Sequence, residues 1–72
     1  MFPRDSYALY LIASLCGVSG REEECFTYLD LAFANGFKDL DTLTTDPNLV
    51  NIINKNSYTL LLKKYGLHSS KE

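Results

Sequence analysis

The sequence predicts an all-α domain. Three observations carry that expectation. Apolar residues return at helical intervals in two long stretches, glycine-bearing turns bound them, and no useful run alternates with period two. The arrangement expected is an antiparallel helix–turn–helix over residues 5–35, capped by two short helices and a final helix over residues 36–66. Seventy-two residues make one domain at most. Residues 67–72 read as a mobile tail.

The first helix should begin after Pro3. Asp5 or Ser6 can cap it, because a short side-chain oxygen accepts a free backbone N–H. Leu9, Ile12, Ala13 and Cys16 share one helical face. Ala8, Leu11 and Leu15 mark a second face, and Tyr7 and Tyr10 a third. A helix apolar nearly all round is expected to be buried nearly all round. The stretch "GVSG" should end it.

The second helix is expected over residues 21–35, with Ser19 as a possible cap. Glu22, Glu23 and Glu24 crowd its first turn, where the macrodipole favours negative charge. Cys25, Phe26, Leu29, Ala32 and Phe33 form its inner face, and Asn35-Gly36 stops it.

The stretch "ANGFKDLDTLTTDPNLVNI" is broken but regularly apolar. Asp39 can start a short helix carrying Leu40 and Leu43. Asp46-Pro47 is a second start signal, since Asp caps and Pro fits the first helical position. Leu49, Ile52 and Ile53 should then face inward. Asn54 is expected to cap a final helix bearing Tyr58, Leu61, Leu62 and Tyr65, which Gly66 closes.

Composition narrows the function classes. A chain this short buries only about 60% of its unfolded surface, so its stability is marginal. The net charge of −2 leaves no electrostatic footprint for nucleic acid. Neither Cys16 nor Cys25 belongs to a CxxC pair, and His68 is the single histidine, so a zinc site lacks ligands. Both cysteines are expected as reduced thiols in or beside the helix–helix interface. "YALYLIASLCG" resembles the core of a signal peptide, but Asp5 cancels Arg4 and Leu15 precedes the cysteine, so no leader is expected. No segment reaches the ~20 apolar residues of a membrane span. A cytoplasmic protein without cofactor or metal is the expectation.

The helix pair resembles a tetratricopeptide repeat, a 34-residue helix–turn–helix unit of interaction scaffolds. Leu9 stands at the usual Trp, Ile12 at Leu, Ala13 at the small Gly and Cys16 at Tyr. Cys25, Leu29 and Ala32 stand at the small, large and small positions of the second helix, and Phe37 at the closing Pro. The small residues Ala13, Cys25 and Ala32 let two helices approach closely. Gly36, Phe37, Asp39, Leu43, Asp46, Pro47, Leu49 and Tyr58 are similar in pattern to the closing segment after the last repeat in bacterial proteins. That resemblance implies a segment folded back across the second helix to cover the end of a stack.

A repeat-and-cap module of this kind implies a non-enzymatic protein–protein interaction role, with a protein or peptide as partner. In the family the groove is lined by positions matching Tyr7, Tyr10, Ser14 and Gly17. Leu11 and Leu15, on the other apolar face, are expected to meet either a preceding repeat or a second copy in a homodimer. Tyr10 and Ser14 replace the Lys and Asn with which some members hold a C-terminal carboxylate, so that activity is not expected. The alternative is a self-associating helical module similar to a SAM domain; the Gly36–Leu49 spacing favours the repeat ending. Asp39, Asp41 and Asp46 could be paired carboxylates, but their places at helix starts favour capping. No Ser/His/Asp or Cys/His set is present, and no enzyme is expected.

Overall fold

A computed structural model describes residues 5–67. It contains α1 (Ser6–Val18), α2 (Glu22–Ala34), α3 (Leu40–Thr45), a 3-10 turn (Pro47–Leu49) and α4 (Asn56–Lys64). Among the described residues there is no strand. The fold is all-α, with α1 and α2 packed as an antiparallel pair.

Asp5 caps α1, its carboxylate accepting from the Tyr7 N–H at 2.9 Å. The helix ends within "GVSG", as expected. It runs through Gly17 to Val18, and Gly20 makes the turn with φ +79°. Ser19 therefore closes α1 instead of opening α2; Arg21 stands at the α2 cap with no side-chain bond. Three glutamates in the first turn of α2 supply the favourable charge there.

The longer helices α1, α2 and α4 end in the same way. The Arg21 N–H reaches the Cys16 carbonyl at 2.9 Å, Phe37 reaches Ala32 at 2.9 Å, and Leu67 reaches Leu62 at 2.8 Å. In each case a glycine with positive φ (Gly20, Gly36, Gly66) precedes the donor, the geometry of the Schellman motif. Leu67 is thus tied to α4 and packs against the core; it is not part of a tail. The rest of the tail, and His68, lie outside the described residues.

The core is one cluster. Leu9 and Ala13 of α1 meet Cys25, Leu29, Ala32 and Phe33 of α2, joined by Phe37, Leu43, Leu49, Ile52 and Tyr58. Ala13, Cys25 and Ala32 are each fully buried. Ile12 and Cys16 are only half-buried at the edge of the pair.

The segment after Gly36 differs from expectation in its path. It does not lie simply across α2. Its 3-10 turn packs on α1, and α4 packs on α2. Its second helix is also shorter than expected, because after Leu49 the chain continues in turns through Asn54. Asn54 does not cap α4. Its amide donates to the Val50 carbonyl at 3.1 Å, and Lys55 occupies the cap position without a side-chain bond. Lys55 instead pairs with Glu22 at 2.9 Å, and Lys64 with Asp30 at 3.0 Å. These ties join the starts of α4 and α2 and then points further along both, so α4 runs in the direction of α2. The Tyr65 hydroxyl donates to Asp30 as well.

Candidate functional site

α1 has no charged side chain from Ser6 to Val18. Its three faces meet three different environments. Leu9 and Ala13 face α2. Tyr10, Ser14 and Gly17, at i, i+4 and i+7, face the segment that starts at Asp46. Tyr7, Leu11, Leu15 and Val18, at i, i+4, i+8 and i+11, remain exposed.

The second face is built around one carboxylate. The Tyr10 hydroxyl donates to Asp46 Oδ2. Ser14 Oγ donates to the same oxygen at 2.9 Å. The other oxygen, Oδ1, accepts from the Asn48 N–H at 2.9 Å and so caps the 3-10 turn. The Asn48 side-chain amide then donates to Ser14 Oγ at 3.0 Å, closing the network. Burial opposes the charged form of Asp46. The hydrogen bonds from Tyr10, the Asn48 amide and Ser14 outweigh it and hold the carboxyl below its usual range. The same contact, after burial, pushes the Tyr10 phenol well up. An aromatic stack continues the seal: Tyr10 lies nearly parallel to Phe37 at 5.0 Å between ring centroids, and Phe37 meets Phe33 at 6.5 Å.

This placement divides the residues expected to bind a partner. Tyr10 and Ser14 are each only 4% exposed and are engaged with Asp46. The face they line with Gly17 is filled by the chain's own residues, so as lining of a peptide groove they are corrected to an internal contact. Tyr7, Leu11 and Leu15 stand together in the exposed stripe. Tyr7 also leans on Tyr10 and Phe37, at 5.6 and 6.5 Å between centroids.

Two contributions escape a reading of the sequence. Val18 joins the stripe only because α1 continues through Gly17; its spacing of seven from Leu11 is the signal once that is known. Asp46 looks like a cap alone, and nothing local marks its second role against α1.

Asp39 and Cys25 have structural places. Asp39 caps α3, its Oδ1 accepting from the Thr42 N–H at 3.2 Å and its Oδ2 from the Thr42 hydroxyl at 2.7 Å. Burial, then the neighbouring Cys16 and Glu22, push the Cys25 thiol up to about 11. Both cysteines are free thiols. Among the described residues no group of three His, Cys, Asp or Glu side chains could hold a metal ion. No described helix is long and apolar enough to cross a membrane.

No protein-family model matches the chain, and no match was found among curated proteins or solved structures.

Proposed function

We propose that the chain is a non-enzymatic docking module, the closing part of a tetratricopeptide-like scaffold, and that its contact face is the outer stripe of α1. One observation carries the reading. Tyr7, Leu11, Leu15 and Val18 are 52%, 44%, 62% and 60% exposed, on one line along one helix. A helix of 3.6 residues per turn places them within an arc of roughly 80°. Scattered exposed apolar residues are ordinary, but a contiguous line marks a contact surface.

Support for the scaffold part lies in the α1–α2 crossing. Ala13, Cys25 and Ala32, the small residues of the repeat pattern, are all at zero exposure. The contact itself differs from the family's groove, since the chain's own Asp46–Leu49 stretch occupies that face. What seats on the stripe is another apolar helix, packing its ridge beside the i, i+4, i+8 ridge of Tyr7, Leu11 and Leu15.

A photo-crosslinking residue at Leu11 or Leu15, with Thr44 as control, tests this in cells. Adducts to a polypeptide identified by mass spectrometry at positions 11 and 15, and none at 44, are the expected result. Equal labelling at all three positions, or none at any, removes the docking face.

A further inference from the structure

We infer that the helix seated on this stripe is α1 of a second copy, related by a two-fold axis and running antiparallel. The inference rests on reading the stripe as a docking face and names its occupant. The axis passes at the level of Ala13. Leu11 then lies against Leu15 of the partner subunit, and Leu15 against Leu11 of the partner subunit. Towards each end Ala8 meets Val18 of the partner subunit, a small residue against a larger one. An isologous contact of this kind closes on itself.

Charge selects the direction. α1 is uncharged from Ser6 to Val18, so nothing on the stripe repels its own copy. Charge sits beyond both ends: Asp5 before α1, then Arg21, Glu22, Glu23 and Glu24 after it. Parallel pairing would set the glutamates of both copies side by side. Antiparallel pairing separates the two clusters by the length of α1, about 20 Å at 1.5 Å per residue. It brings Asp5 level with Arg21 of the partner subunit, an arginine that makes an exposed contact with Glu24 at 3.4 Å. Antiparallel helix dipoles add to the preference.

Area sets the strength. The four stripe residues leave on the order of 400 Å² of side chain exposed, half the roughly 800 Å² per partner of a standard interface. The dimer is therefore a weak one, formed only at high protein concentration.

Sedimentation equilibrium of the whole chain, wild type and two variants, tests it. Leu11→Lys and Leu15→Asp change exposed positions, so circular dichroism should show both folded. Each variant alone should dissociate at least tenfold more readily than the wild type. An equimolar mixture should associate again, because Lys at 11 then faces Asp at 15 of the partner subunit. A wild type that stays monomeric at about 1 mM, or that dimerises unaffected by either substitution, overturns the proposal. A mixture no better than its components overturns the antiparallel arrangement. A monomeric chain that still cross-links to another polypeptide at Leu11 and Leu15 loses only the self-pairing; one that also fails to cross-link loses the docking face with it.

Discussion

Replacing Gly17 with Ala sets two physical effects of opposite sign against each other. Gly17 lies inside α1, where Ala is about 1 kcal/mol better than Gly for helix formation. A solvent-facing position would therefore gain stability. A Cβ at Gly17, however, would stand 2.9 Å from the Asn48 carbonyl oxygen, 2.9 Å from Leu49 Cδ2 and 3.5 Å from Ile52 Cγ1. The first contact is backbone and cannot rotate away. Leu49 is at zero exposure and has no room to retreat. Moving the 3-10 turn outward would stretch the bonds that Asp46 and Asn48 make to Tyr10 and Ser14. Overpacking of this sort costs about 1–3 kcal/mol. The net expectation is a loss of up to ~2 kcal/mol, a drop in Tm of up to roughly 15 °C for a domain of this size. Urea and thermal unfolding followed by circular dichroism give the answer. Leu49→Ala supplies the control: it should itself cost about 2–5 kcal/mol. In that background the penalty at Gly17 should shrink by at least ~0.5 kcal/mol, since the two sites touch. A stabilised Gly17→Ala chain would refute the packing of residues 47–52 on α1.

Three further outcomes follow from the same contacts. Asp46→Ala should cost roughly 2–3 kcal/mol in urea unfolding, because two hydroxyls lose a charged acceptor and the 3-10 turn loses its cap; Tyr10→Phe should cost less, since Asp46 keeps its other donors. The folded-state carboxyls of Asp46 and Asp30 are both lowered, so their stabilisation is present above the unfolded value of about 3.9 and is lost as pH falls through the lower folded one; unfolding midpoints should be level between about pH 5 and 8 and fall below about pH 4, and Asp46→Asn should flatten that fall. In the native chain a thiol reagent should reach Cys16 before Cys25, which is at zero exposure with its thiol pushed up to about 11; Cys25→Leu should destabilise by roughly 1–3 kcal/mol through overpacking, read as a shifted midpoint.

The two long helices were legible because their signals are local. Period, caps and the glycines after α2 and α4 all act within a few residues. Some misreadings are local, as at Asn54, and others have a cause at longer range. "GVSG" does end α1, but its two glycines have different reasons: Gly20 makes the turn, and Gly17 stands inside the helix where the Asn48 carbonyl comes close, 31 positions later in the chain. Asn54 looks like a cap, but its side chain bonds back to Val50, and Lys55 finds Glu22 on another helix. Tyr10 and Ser14 look like free contact residues until Asp46 is brought beside them. Periodicity separates the faces of α1; it does not say which face a distant segment will cover.

The uncovered face follows from what the chain has left to spend. A neutral helix of 13 residues with apolar character on three sides needs three covers. α2 supplies the first. Residues 46–52 supply the second, anchored through Asp46, Leu49 and Ile52. α4 could in principle supply the third, but it is fastened to α2 by Lys55–Glu22 near its start and by Lys64 and Tyr65 on Asp30 near its end. Each ion pair is exposed and worth little singly. Together with the burial of Tyr58 they fix α4 on the α2 side. No described element remains to reach Leu11 and Leu15. A surface helix ordinarily puts polar or charged residues where it meets water. α1 puts Tyr, Leu, Leu and Val there, with no charge for 13 residues, and among the described residues nothing covers them; the proposed docking face supplies that cover.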